Sequence, residues 1–489
     1  MYRKSNQPDL SPEKFALPFQ GKLSSENRWV IMAELIPWSE FESEYAENFS
    51  ENMGAIAKPF RMTLGALIIK EKLGISDRET VEQIRKNPYL QYFLEISTYK
   101  NEPSFDASLM VYFRERIDKD LVNKINQKMV RKFTENTEEE ESEKKNESAQ
   151  VKEIKNQGKL ILDATCAPGD ISYPNDLGLL NQVRVQTEKI LDSLYKSYQT
   201  KGAKKPRTYR KKARKDYLKV AKKRRPSRQE RTSAIAQQLK YIKRNLFHIE
   251  NLINSGADLS SLSPTKYKML LVVTEVYRQQ LWMYENESTR IDDRIVSITQ
   301  PHIRPIVRGK AGKPVEFGAK LSVRCFDNYV FLDHLSWNNF NESADFKTQV
   351  EAYKSFTGYY PASVHVDKIY RTKANRAWCK ERGIRISGPP LGRPPKNVSR
   401  STKKQALDDE RFRNAIEGKF GQAKRLTSLN CIMAKLSKTA ETSIAITFLV
   451  LNLSTLLRQV SCLFLSLFLQ NYKLGLITDF FIIKADIKP

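Results

Sequence analysis

Between Trp29 and Val130 apolar residues recur at intervals of three and four, the period of helices buried along one face. The run "MTLGALIIKEKLG" closes on Gly74, and Ser76 stands before "DRETVEQI" where a helix cap belongs. "FDASLMVYFRERIDKDLVNKINQKMV" continues the same period. The pattern predicts an all-α N-terminal domain over residues 15–134. It breaks at "ENTEEEESEKKNESAQ", Glu135 to Gln150, which is poor in apolar residues and dense in charge. A solvated linker over 135–157 is the expectation.

Beyond the linker the period changes. "GKLILDAT" predicts a short strand ending at Asp163, followed by a Pro- and Gly-rich loop that holds Asp170 and Asp176. Asp170 follows Pro-Gly as a turn residue would, and Asp176 stands where a helix N-cap belongs. From Asp176 to about Arg290 the helical stripe returns, with Leu177, Leu180, Val183, Thr187, Ile190 and Leu194 in line. Strands are then predicted at "RIVSI", "VEFGAKLSVRC", "NYVFLDHLSW" and "ASVHVD". Val315, Phe317, Ala319 and Leu321 alternate with polar neighbours, as do Val364 and Val366. "ANRAWCKERG" reads as a helix stopped by Gly383, "IRIS" as a strand, "GPPLGRPPK" as a basic loop and "DDERFRNAIEGKFGQAKR" as a helix. The order fits an α/β fold with a mixed sheet, residues 158–460, carrying a helical insertion at about 176–290.

One stretch, Ser443 to Leu469, is long and apolar enough to span a bilayer. Arg458 and Gln459 interrupt it, and Asn452, Ser454 and Thr455 add polarity. A buried helix followed by an irregular apolar tail, 461–489, is expected instead, with no membrane partner.

Charge changes the picture more than apolar content does. Eighty-three Lys and Arg against 56 Asp and Glu leave a formal net charge of +27, which points to a polyanionic partner. Between Lys201 and Arg231 there are sixteen Lys or Arg against Asp216 and Glu230. Such density, interleaved with Tyr209 and Tyr217, favours contact with a phosphate backbone over a merely solvated helix face. Lys211, Lys212, Arg214, Lys222, Lys223, Arg224 and Arg225 are the candidates. The five cysteines form no C-x-x-C pair, and the four histidines share no metal-ligand spacing. A disulfide framework, a zinc finger and a zinc hydrolase are therefore disfavoured. No apolar leader follows the N-terminus, so a cytoplasmic setting is expected.

The candidate chemistry lies in three acids. Asp163 follows "LIL", Asp367 follows "SVHV", and Glu417 lies in the helix "RFRNAIEGKF". Three carboxylates from separate elements can converge on Mg²⁺, which prefers oxygen ligands, and a pair of such ions can drive phosphodiester chemistry. Taken singly, each aspartate is more readily a turn or cap residue. Arg413, Glu417 and Lys424 are spaced by four and seven residues and share one helix face. That face suits a metal site beside phosphate, although an ordinary Arg–Glu pair on a solvated face is an equal reading.

Here the chain resembles a known family, the DDE transposases of bacterial insertion sequences. The matching stretches are "LILDATCAPGDISYPNDLGLLNQVR", "QPHIRPIVRGKAGKPVEFGAKLSV", "VDKIYRTKANRAWCKERGIRISGPPLGRPPK" and "RFRNAIEGKFGQAKR". The last holds R-x3-E-x6-K, most of a signature Y-x2-R-x3-E-x6-K. The resemblance covers about residues 15–460 and implies a ribonuclease-H-like core. It implies Asp163, Asp367 and Glu417 as catalytic metal ligands, with Mg²⁺ as cofactor and Mn²⁺ as a substitute. Arg413, Lys424, Tyr370 and Arg371 become DNA contacts. The implied activity is cleavage at transposon ends, then attack of the freed 3′-hydroxyl on target DNA. The implied partners are double-stranded DNA carrying terminal inverted repeats, target DNA, and further copies of the chain in a homodimer or larger assembly. The signature tyrosine is replaced by Glu410, and Ile369 stands where a glycine precedes Tyr370 in the broader pattern. A nuclease of the same core and a DNA-binding protein without catalysis remain open alternatives.

Overall fold

The protein is described by a computed structural model covering residues 1–2, 11–17, 21–50, 54–143, 156–198, 205–310, 313–388 and 399–485. Seven helices form the N-terminal region: α1 (Arg28–Leu35), α2 (Trp38–Ala46), α3 (Phe60–Leu73), α4 (Asp77–Lys86), α5 (Pro88–Phe93), α6 (Leu109–Arg116) and α7 (Lys119–Glu143). The predicted punctuation holds. Ser76 accepts the Glu79 amide at the start of α4, and Gly74 ends α3. The first part of the charged run continues α7 to Glu143, because nothing in its composition breaks a helix. The rest of the predicted linker, 144–155, lies outside the described residues.

Six strands follow: β1 (Lys159–Pro168), β2 (Arg304–Lys310), β3 (Lys313–Phe326), β4 (Tyr329–Ser336), β5 (Ser363–Val366) and β6 (Arg385–Ile386). They form one mixed sheet in the order β2-β3-β1-β5-β6, with β4 also paired to β3. β3 runs antiparallel to β1, β2 and β4, whereas β5 is parallel to β1 and β6 is parallel to β5. Gly318 sits where β1, β2 and β3 meet, and a β-carbon there would stand 2.0 Å from the Ala167 carbonyl oxygen. No other residue fits that close approach.

Between β1 and β2 the chain departs into four helices: α8 (Asp176–Tyr198), α9 (Arg210–Ala221), α10 (Arg228–Asn254) and α11 (Pro264–Glu285). Leu180, Val183, Ile190, Leu191 and Leu194 of α8 pack with Leu239 and Ile242 of α10 and Val273 and Val276 of α11 in a core of their own. The predicted strand "RIVSI" does not form. Ile295 and Ile298 are buried in this insert core, so their alternation reflects packing on helices without a pairing strand. Asp176 is the first residue of α8 rather than its cap. Asn175 caps the turn, accepting the Gly178 amide at 2.6 Å. Asp176 instead accepts from Arg294 at 2.5 Å and Gln280 at 3.0 Å, joining the two ends of the insert.

The remaining helices are α12 (Phe346–Thr357), α13 (Lys373–Glu381), α14 (Arg400–Leu426) and α15 (Ser437–Ala485). The N-terminal helices, the sheet and α15 share one continuous apolar core. Polar positions inside the apolar C-terminal run face inward as hydrogen-bonding nodes. Asn452 donates to Asn126 and to the Val330 carbonyl and accepts the Val330 amide. Thr447 donates to the buried carboxylate of Glu71, which Ser428 also contacts. Buried polar groups need such partners, and here they fasten α15 to α7, β4 and α3. Ser437–Cys462 is long and apolar enough to cross a membrane by length and composition, yet most of it is buried against protein. The tail was expected to be irregular, but its backbone continues as helix to Ala485.

Candidate functional site

Register brings the two aspartates together. β1 and β5 are paired in parallel with Leu162 beside Val366. The next residues are Asp163 and Asp367, just past the last paired position and near enough for the charge of one to act on the other. Asp163 was expected at a strand end, but it lies in mid-strand because β1 stays paired with β3 as far as Pro168. Only the pairing with β5 ends at Leu162. Asp367 caps a 3-10 turn over Lys368–Tyr370, its Oδ1 accepting the Lys368 amide at 2.6 Å. Asp163 Oδ1 accepts the Ala164 amide at 2.8 Å.

The third acid comes from α14, whose buried stripe of Ile416, Phe420 and Ala423 seats it on the core. Glu417 and Lys424 each follow a stripe residue by one position, which turns them toward the rim of the packing surface. Arg413 lies 3.6 Å from Glu417. Asp163, Asp367, Glu417, Arg413 and Lys424 all line one cavity of about 820 Å³. The α14 face thus borders a concave site, although the Glu417 side chain stays 56% exposed and paired with Arg413.

Burial pushes the Asp163 carboxyl up to about 6, opposed by the Ala164 amide and by Arg413 and reinforced by the charges of Asp367 and Glu417. Asp367 and Glu417 are thus close enough for their charges to oppose ionisation of Asp163, a cost that a divalent cation relieves. Their oxygens suit Mg²⁺ or Mn²⁺ and offer no soft ligand. The side chains are not closed into a ligand cluster, and among the described residues no group of three or more His, Cys, Asp or Glu is drawn together tightly enough to hold a metal ion.

Two cavity residues had no signal in the sequence. Lys320 of β3 is buried, donates to the Phe340 carbonyl and pairs with Glu342, and both side chains line the cavity. Lys320 lies unmarked inside one of the matching stretches and Glu342 between two of them, and only the fold brings them to the acids. A second cavity of about 1060 Å³, at the base of the insert, shares Val307 with the first and presents exposed Tyr173 and Trp282.

The basic candidates divide. Lys211, Lys212 and Arg214 are exposed on α9, and Lys222, Lys223, Arg224 and Arg225 are exposed on the turn into α10. None lines the acidic cavity. Lys223 is paired with Glu230. Tyr370 was expected at DNA, but the 3-10 turn after Asp367 points it inward and it is fully buried. Burial raises its hydroxyl far above the ordinary tyrosine range, with the charge of Asp163 adding to the shift. A side chain so enclosed is core and offers DNA no surface. Arg371 is largely buried too, but unlike a satisfied core group it keeps two guanidinium nitrogens without a partner.

Residues 17–116 match a family model described as a transposase domain, and residues 364–454 match one described as a transposase DDE domain. The second match spans Asp367, Arg413, Glu417 and Lys424; Asp163 and the insert lie outside both. An uncharacterized protein of the nfe locus of Rhizobium meliloti is 34% identical over 88 residues, 18% of this chain and 42% of that protein. The chain thus spans less than half the length of that relative. No solved structure matches the chain.

Proposed function

Starting from a chain that its two domain matches mark as an insertion-sequence DDE transposase, we propose that it cuts DNA at transposon ends and joins the freed ends to target DNA. The observation that carries this reading is the register of β1 and β5, which sets Asp163 and Asp367 side by side in the cavity that Glu417 also lines. The mixed sheet is read as a ribonuclease-H-like core. Asp163, Asp367 and Glu417 would hold divalent metal, Mg²⁺ by preference. When bound, the metal supplies an activated water or 3′-hydroxyl and stabilises the leaving oxygen.

The chain's own groups do the rest. Arg413 and Lys424 sit on the same helix face as Glu417 and neutralise the non-bridging oxygens of the scissile phosphate. Lys320, fixed by Phe340 and Glu342, adds a cation to the wall of the site. Asp163 must be ionised to act as a ligand, and burial of its carboxyl keeps bulk water from competing for it. The exposed cations of α9 grip the DNA backbone away from the chemistry, without reading sequence. Assembly of two or more copies on the paired ends, in the cytoplasm, belongs to the same proposal.

Purified full-length protein incubated with Mg²⁺ and a duplex bearing the element's terminal inverted repeats tests this. Nicking confined to the repeat ends and abolished by chelation is expected. Cleavage without regard to sequence would make the chain a nuclease, and binding without cleavage would make it a DNA-binding protein only.

A further inference from the structure

Four residues beyond Asp367, the Arg371 side chain is 7% exposed, and its Nε and Nη1 have no hydrogen-bond partner. Arg376 lies near enough for its charge to act on Arg371, and its own buried Nε is also unpartnered. Guanidinium donors are costly to bury unpaired, so two such groups side by side mark a place built for an anion.

Three further features shape that place. Arg371 immediately precedes Thr372, the N-cap of the nine-residue α13, so both arginines stand at the positive end of a helix. The guanidinium of Arg371 lies against Gly388, where a β-carbon would come within 3.3 Å of Nη1 and where φ is +100°. Glycine there leaves the guanidinium its space. Gly388 follows Ser387, whose amide donates to Val364 and whose hydroxyl accepts the Val366 amide. The arginines therefore sit at the carboxyl ends of β5 and β6, next to Asp367, the edge of an open sheet where ligands are bound.

We infer that Arg371, Arg376 and the first turn of α13 form a binding site for one phosphate group, separate from the acidic cavity. Planar guanidinium forks suit phosphate oxygens better than point charges do. The position beside Asp367 assigns that phosphate to the DNA strand held at the acids, a neighbour of the scissile one. This assignment rests on the proposed function; the phosphate site itself does not.

Two measurements on the full-length chain test it. The first follows thermal unfolding with and without inorganic phosphate, for wild type, Arg371→Gln, Arg376→Gln and Arg371→Lys. Phosphate should raise the midpoint of wild type, have little effect on the two glutamine variants, and act partially on the lysine variant. The second measures affinity for a short duplex against salt concentration. Each glutamine variant should lower the slope of log K against log salt by about 1. Equal stabilisation of all four proteins by phosphate overturns the site. Loss of the phosphate effect with an unchanged DNA slope overturns the assignment to DNA and leaves a site for free phosphate. Should Arg371→Gln not fold, the less buried Arg376→Gln decides.

Discussion

Arg385 donates two parallel hydrogen bonds to Asp409, at 2.6 and 2.8 Å, and so ties α14 to the edge of the sheet. Asp409 precedes Glu417 by two helical turns, and Arg385 is on β6, beside β5, the strand that Asp367 follows. The pair thus fastens the helix that carries the third acid beside the strand that leads to the second. Asp409→Ala should lower stability by about 2 kcal/mol. It should also raise the Mg²⁺ concentration needed for half-maximal cleavage. Urea unfolding and a Mg²⁺ titration of nicking check both effects. An unchanged Mg²⁺ requirement would leave the pair a stability role only.

The insert has a comparable fastening. Arg294 reaches Asp176 at 2.5 Å across the point where the helices leave and rejoin the core. Both side chains are partly exposed, so the global cost of Asp176→Ala should stay within about 1 kcal/mol. Local opening should rise more. Trypsin cutting at Arg290 and Arg294 should be several times faster in the variant at unchanged urea midpoint, as read by mass spectrometry of the fragments.

His302 provides a pH dependence. Burial and the neighbouring Arg304 push its imidazole down to about 4, and its ring packs edge-on against Trp337 at 4.4 Å. The unfolded chain takes up the proton near the ordinary value of about 6.5. The contribution is therefore complete above that value and is lost as pH falls toward 4. Urea midpoints should drop between pH 7 and pH 4.5, and the drop should be smaller in His302→Gln. An identical drop in both proteins would remove His302 from the account.

Replacing Lys222, Lys223, Arg224 and Arg225 together with alanine should weaken binding to all duplexes alike. The slope of log K against log salt should fall by roughly 3, because Lys223 is already engaged by Glu230. A loss confined to one DNA sequence would mean that the turn reads bases instead of gripping phosphates.

Local periodicity made the helices of both the N-terminal region and the insert legible, along with five of the six described strands, all but β2. Pairing was not legible. Asp163 looked like a strand end because Gly and Pro bound its run, yet β3 extends the strand to Pro168. "RIVSI" alternates as a strand does, but its apolar side chains answer to helices α8, α10 and α11. Tyr370 had the right place in the motif and the wrong orientation, since a 3-10 turn after Asp367 reverses which residue faces out. Asn452 and Thr455 counted in the sequence only as polarity against a membrane span, whereas buried partners on other elements make them attachments of the helix. The acids were singled out by residue type, by their places after apolar runs and by the family resemblance; Lys320, Glu342 and Asp409 depend on contacts between segments far apart in the chain.

The central claim is that Asp163, Asp367 and Glu417 act as one metal-holding set on DNA. Its most direct test is nicking of a duplex carrying the terminal repeats by Asp163→Asn, Asp367→Asn and Glu417→Gln, each measured beside its DNA affinity. Every variant should lose at least about a hundredfold in cleavage rate, the scale of several kcal/mol of transition-state stabilisation, while binding the repeats as well as wild type. If any one of the three cleaves at a rate close to wild type, the three acids are not the catalytic set.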